Sequence, residues 1–227
     1  MLSRLISAIV VALTFLGALT LPTAPPASAV VGGSCSVVVP PTVWIAKPYT
    51  YISASLAPNC AASGATFSLW EVRHSHYGPS ASFLFDTNSS DRYGFYDLEH
   101  YGTYYVEPGF SNDSDFNDLT QNTRSFVVKS GSGIGLSGTR LGQYVTLRTS
   151  TSYYSPSVSG YRVWPNAKVQ LQYKACSSCT WTYLRNVYTA SNGVVTFRTH
   201  APSTRYYRAV STANPTIWGR TSVIVTR

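Results

Sequence analysis

Along the second half of the chain, apolar and polar residues alternate in short runs. Val145 and Leu147, then Val169, Leu171 and Tyr173, then Val195 and Phe197, then Tyr207 and Ala209 fall on one side of that alternation, with polar residues between them. A period of two marks a strand with one buried face, so these residues are expected to point inward. Turn signals separate the runs at Pro165-Asn166, Ser191-Asn192-Gly193, Pro202-Ser203 and Asn214-Pro215, a spacing that suits a sandwich of short strands. No stretch carries a convincing helical period. Two antiparallel sheets face to face, about seven strands per unit, are the smallest arrangement that buries one face of every strand.

The pattern is written twice. Ala65-Thr66-Phe67-Ser68-Leu69, Phe95 and Tyr104-Tyr105 recur at one constant offset as Ala167-Lys168-Val169-Gln170-Leu171, Phe197 and Tyr206-Tyr207. The closing runs Ser125-Phe126-Val127-Val128 and Ser222-Val223-Ile224-Val225 recur at a slightly smaller offset, as an internal duplication with a shortened last loop would give. Between the copies, Lys129-Ser130-Gly131-Ser132-Gly133 has the composition of a flexible linker.

The second copy resembles the immunoglobulin-like domains found in tandem in exported proteins of actinobacteria. The matching residues are Gln143-Tyr144-Val145-Thr146-Leu147, Ala167 to Tyr173, Trp181, Ser191-Asn192-Gly193 with Phe197, and Tyr206-Tyr207-Arg208-Ala209. The first copy matches at Phe67, Leu69, Phe95 and Tyr104-Tyr105. The resemblance implies an extracellular sandwich serving as spacer, adhesive module or enzyme appendage, with no catalytic residues to carry over. It also implies a packed core position for Trp181. The expected architecture is all-β: two tandem immunoglobulin-like antiparallel β-sandwiches after a signal peptide. The leader spans 1–29, an acidic sandwich 30–128, the linker 129–133 and a basic sandwich 134–227.

Export is read from Arg4, the apolar run Leu5 to Leu21, and Ala27-Ser28-Ala29, whose small residues fit cleavage after Ala29. The product is expected to be secreted and extracellular, with no stable membrane insertion after cleavage. Four cysteines in an exported chain read as two disulfides with three possible connectivities. Local pairing is favoured, Cys35 with Cys60 and Cys176 with Cys179. Because strand patterns flank Cys176-Ser177-Ser178-Cys179, that motif reads as a stapled hairpin turn rather than a redox site, which wants a helix N-terminus.

Composition agrees with the β assignment. The 227 residues are 44% hydrophobic and 14% aromatic, with 17 tyrosines and only 11% charged, against a usual charged share of about 25%. Charge is divided sharply between the copies. All nine acidic residues, from Glu71 to Asp118, precede the linker, where residues 31–128 hold only four basic ones. Residues 129–227 carry basic residues and no acid at all.

An electropositive domain attracts anionic polymer. If Val169 and Leu171 face the core, Lys168, Gln170, Gln172 and Lys174 face out beside Tyr206 and Arg208 of a paired strand. Lys168, Lys174, Tyr206 and Arg208 are therefore the expected anion-binding residues, the rings stacking and the cations holding phosphate or carboxylate. An anionic polysaccharide or cell-wall polymer is the expected partner, in preference to nucleic acid; the sequence leaves oligomeric state open. Two blander readings stand beside this one: basic side chains that keep strand edges soluble, and an acidic domain docked on a basic one.

Asn112-Asp113-Ser114-Asp115-Phe116-Asn117-Asp118 sets Asp113, Asp115 and Asp118 as candidate calcium ligands, although Asp118 stands where a calcium loop of the helix-loop-helix type needs Gly and Arg124 where it needs Glu. No other cofactor is expected. His74 and His76, with His100 and Glu71, could be imagined around zinc, but His74 to Pro79 also reads as a hairpin tip. No carboxylate pair is selected by spacing, no nucleophile elbow is present, and no phosphate-binding glycine motif occurs. A non-catalytic module is expected; the alternative is a secreted enzyme or enzyme inhibitor with its site in the acidic first copy. Among the tryptophans, Trp218 is expected to be exposed, while Trp44 and Trp70 carry no assignment.

Overall fold

A computed structural model describes residues 32–227, so the leader expected at 1–29 lies outside the described residues. The chain builds β1 (Ser34–Cys35), β2 (Val37–Val38), β3 (Thr42–Ile45), β4 (Tyr49–Leu56), the short helix α1 (Pro58–Ala62), β5 (Ala65–His74), β6 (Gly78–Phe85), β7 (Ser90–Tyr96), β8 (Gly102–Asp113), β9 (Thr120–Gln121) and β10 (Arg124–Ser130). It continues as β11 (Ser132–Leu141), β12 (Tyr144–Ser155), β13 (Gly160–Val163), β14 (Lys168–Lys174), β15 (Thr182–Tyr188), β16 (Val194–His200), β17 (Tyr206–Ser211) and β18 (Val225–Thr226).

The first sandwich opposes the sheet β3-β10-β8-β5-β6 to β2-β4-β7. The second opposes β15-β14-β17-β18 to a sheet in which β12 pairs with β11, β13 and β16. Both copies therefore use the strand order of immunoglobulin-like sandwiches. In the first, Tyr104 Oη donates to the His100 carbonyl at 2.6 Å, a corner tie familiar from that fold. Each copy has its own apolar cluster. One is built on Trp70, Phe83, Phe85, Phe95, Tyr104 and Phe126, the other on Val145, Leu147, Val169, Leu171, Tyr207 and Ala209. Each residue named for the second cluster is expected inward from its period of two; Tyr173 and Phe197 pack against it half-buried.

The constant offset between copies does not survive in three dimensions. In β5 the buried positions are Ser68, Trp70, Val72 and His74, which puts Phe67 and Leu69 on the opposite face from their supposed equivalents Val169 and Leu171. The β5–β8 ladder carries two register shifts, an extra residue in β5 at Thr66 and one in β8 at Gly109, whereas the β14–β17 ladder is unbroken, so matching positions of the two copies do not keep one spacing. The tyrosine pair is out of phase as well: Tyr104 and Tyr207 are buried, Tyr105 and Tyr206 face out. The closing run is also displaced. Only Val225–Thr226 forms a strand, and Val223 and Ile224 are exposed.

Both disulfides pair locally, Cys35 with Cys60 and Cys176 with Cys179. The stretch 129–133 is not a loose tether. Lys129 and Ser130 end β10, Ser132 and Gly133 begin β11, and Ser130, Gly131 and Ser132 are buried. Around them the copies grip one another. Trp218 Nε1 donates to the Val43 carbonyl at 2.8 Å, its ring stacks on Trp44 with centroids 5.9 Å apart, and Lys129 Nζ lies 4.6 Å from the Trp218 ring.

Tyr154 of β12 belongs to the first copy's cluster and donates its hydroxyl to the buried Asp97 carboxylate. Burial first and this bond second push the phenol up to about 12, so it stays a donor. Tyr154→Phe should cost about 2 kcal/mol, since it leaves a buried carboxylate short of its charge-assisted bond. Urea unfolding measures this, and an unchanged midpoint would contradict the role given to Asp97.

Candidate functional site

The outer face of β15-β14-β17 carries the expected residues. In the β14–β17 ladder Gln172 stands opposite Arg208 and Lys174 opposite Tyr206. Val169 and Leu171 are buried, so strand alternation sends Lys168, Gln170, Gln172 and Lys174 outward. On the other side of β14, Tyr188 pairs with Lys168 and Tyr183 with Gln172, and both rings are exposed.

Two of the four expected residues converge on a fifth, and a third, Tyr206, joins them through Lys174. Arg208 Cζ lies 4.3 Å from the centre of the Trp181 ring and Lys174 Nζ 5.0 Å from it, while Lys174 Nζ is 5.5 Å from the Tyr206 ring. Arg208 Nε donates to Gln172 Oε1 at 2.7 Å, and Gln172 Nε2 donates in turn to Gln170 Oε1 at 2.7 Å. Lys174 Nζ donates to the Ser177 carbonyl, inside the loop that Cys176–Cys179 closes. The disulfide thus shortens the β14–β15 connection and brings Trp181 back over the sheet. Lys168 is not part of this cluster; it stands exposed at the far end of β14.

Trp181 is therefore half-buried on the outer face, not a core residue as the resemblance implied. The core tryptophan of this copy is Trp164, 6% exposed and packed with Ala167 and Ile217. Trp218, expected exposed, is held at the junction between copies. A missed signal was available for Trp181: it stands just beyond the CxxC turn, and a short stapled turn keeps its flanking residues beside the strand it leaves.

Several cations elsewhere in this copy are spoken for. Arg140 donates to the carbonyls of Ala201, Ser203 and Arg227, Arg220 to that of Ser132, and Arg227 to that of Gly138. Among the described residues the one ion pair is Arg73 with Glu107 at 3.6 Å, inside the first copy. The two copies meet through aromatic stacking and hydrogen bonds, and among the described residues no carboxylate of the first copy forms an ion pair with a cation of the second.

The acidic loop is a tight turn. Asp113 Oδ1 accepts from the amides of Asp115 and Asn117, each at 2.9 Å, and Oδ2 from the Asn117 side chain at 3.0 Å. These bonds, the Asn117 side chain foremost, hold Asp113 below the usual carboxylate range. Asp113 is turned onto its own loop, and Asp115 and Asp118 are exposed. Among the described residues no group of three or more His, Cys, Asp or Glu is placed to share a metal ion.

His74 is buried, with Nδ1 accepting from the His76 and Tyr77 amides and Nε2 against the Tyr101 carbonyl at 3.2 Å, so its ring nitrogens are used within the hairpin tip. The other carboxyl with a displaced pKa, Asp86, is also lowered, by the Thr87 amide. Downward is the wrong direction for a general acid at neutral pH.

No family model and no curated protein matches the chain. Among solved structures it is similar to the D0-D1 domain of Intimin, at 11% identity and TM-score 0.28, covering 85% of this chain and 96% of that one. The human OSCAR ligand-binding domain gives 11% identity and TM-score 0.30 over 87% of this chain and 100% of that one. The BSP domain of a biofilm associated protein gives 10% identity and TM-score 0.29 over 84% of this chain, which spans 28% of that one. The fold assignment rests on the strand order above, not on these distant likenesses. Among the described residues no helix is long and apolar enough to cross a membrane.

Proposed function

We propose that this chain is an exported, non-catalytic binding module that adheres through the outer face of its second sandwich to an anionic extracellular polymer, a cell-wall polymer or acidic polysaccharide. The observation that carries the reading is the gathering of Lys174 and Arg208 on the Trp181 ring, in a copy that contains no acidic residue. Two cations on one water-exposed face, unmatched by any carboxylate nearby, create a local positive potential that draws anions. The exposed rings of Tyr183 and Tyr188 on one side of β14, with Tyr206 on the other, offer flat surfaces for sugar or polyol units among the charges. Export is supported by the leader-like sequence at 1–29 and by two disulfides, which persist in oxidising compartments.

The test is retention of the mature chain on immobilised polymers. Binding to purified wall polymer or acidic polysaccharide at low ionic strength is expected, with release as salt shortens the Debye length from roughly 30 Å toward 8 Å. Salt-insensitive retention, or equal retention on an uncharged glucan, would sink the proposal.

A further inference from the structure

We infer that the Lys174–Trp181–Arg208 cluster is a phosphate site, so that the polymer taken by this face is one bearing phosphate groups. The inference rests on the adhesion reading above and narrows it. Arg208 is fixed on two sides, its Nε committed to Gln172 Oε1 and its guanidinium laid against Trp181. Among the described residues no protein acceptor engages its two terminal nitrogens. A guanidinium held in this way presents a planar fork whose paired N–H groups match two oxygens of one phosphate, a geometry lysine cannot reproduce.

Lys174 supplies the second cation from the diagonal cross-strand position, where backbones stand ~7–8 Å apart. Its ammonium has three donors and the Ser177 carbonyl takes one, which leaves two for a ligand. The two positive charges repel one another across this short gap. A phosphomonoester, at about −1.5 to −2 charge near neutral pH, relieves that repulsion further than a carboxylate, and a phosphodiester, singly charged as a carboxylate is, still offers two oxygens to the guanidinium fork. Its tetrahedral oxygens also reach two cations that do not share a plane.

Trp181 is a positioning residue here. Its ring face attracts both cations and fixes where they stand. The Cys176–Cys179 staple holds the loop that carries both the Ser177 carbonyl and the approach to Trp181, so much of the ordering a ligand would otherwise impose is already present in the free protein.

The experiment is a titration of the full mature chain with inorganic phosphate and with acetate at constant ionic strength, followed by tryptophan fluorescence, on the native chain and on Trp181→Phe, Arg208→Lys and Lys174→Gln. Phosphate should bind at least tenfold more tightly than acetate. Arg208→Lys, which keeps the charge and removes the fork, should lose about tenfold, and Trp181→Phe should abolish most of the fluorescence change while circular dichroism stays the same.

In parallel, a phosphodiester-linked wall polymer should hold the chain to higher salt than a polyuronate of equal charge density, and Arg208→Lys should close that gap. Equal affinity for phosphate and acetate, or a gap that persists in Arg208→Lys, overturns the phosphate assignment. Retention by both polymers to the same salt overturns it while the adhesion reading stands. Retention by neither overturns both.

Discussion

Replacing Lys168, Lys174 and Arg208 together by alanine should weaken retention on an anionic polymer about a hundredfold and flatten its dependence on salt. Each basic side chain close to an anionic surface contributes about 1 kcal/mol, and a loss of roughly 3 kcal/mol corresponds to two decades in affinity. The three do not act alike. Lys174 and Arg208 share the Trp181 ring, so their single substitutions should be non-additive, because removing either leaves the other with half a site. Lys168 sits six residues away along β14, roughly 20 Å at the rise of a strand. Its effect should simply add and should be the most easily screened. Retention on immobilised polymer across a salt series reads all of this. If the triple variant binds as the native chain does, the adhesive face lies elsewhere.

Trp70→Ala should be the most damaging single change to the fold. Trp70 is fully buried at the centre of β5, meets Phe85 edge-on with centroids 5.8 Å apart, and donates Nε1–H to the Asn122 carbonyl at 3.0 Å. Truncation removes the largest side chain of its cluster and leaves a cavity, a change that costs about 3–5 kcal/mol. The Asn122 carbonyl also loses its donor. Since domains of this size are stable by only ~5–15 kcal/mol in total, the first copy should lose about 15–25 °C in melting temperature. Trp70→Phe separates the two causes: it keeps most of the ring volume, so a small loss there would assign the damage to the cavity. Melting followed by near-ultraviolet circular dichroism measures both, and a shift below about 5 °C in Trp70→Ala would contradict the packing described here.

Much of the second sandwich is legible along the chain because strand alternation is a local property. Val145, Leu147, Val169, Leu171, Tyr207 and Ala209 are assigned inward by period alone, and the outward direction of Lys168, Lys174, Tyr206 and Arg208 comes from the same parity. The disulfide pairs are readable too, since short separations favour local closure. Bulges are not readable. The two shifts in the β5–β8 ladder leave no mark in the residue pattern, and Phe67 and Leu69 stand on the face opposite to the one their alignment with Val169 and Leu171 predicts. The tryptophans are easily misassigned between core, junction and surface because an aromatic ring suits all three. Trp164, Trp218 and Trp181 differ only in what the rest of the chain brings against them.

The sequence by itself determined the β class, the sandwich pattern of the second copy, the absence of acid from that copy and the outward face on which Lys168, Lys174 and Arg208 stand. Each of these depends on residue type and parity over a few positions. Only the tertiary structure decided that 129–133 is a strand-to-strand passage with Ser130, Gly131 and Ser132 buried, that among the described residues the copies meet through Trp44, Trp218, Tyr154 and Asp97 and not through ion pairs, and that Trp181 gathers Lys174 and Arg208. Those outcomes depend on contacts between residues far apart in the chain, and Gly, Ser and Trp have no local preference strong enough to announce them.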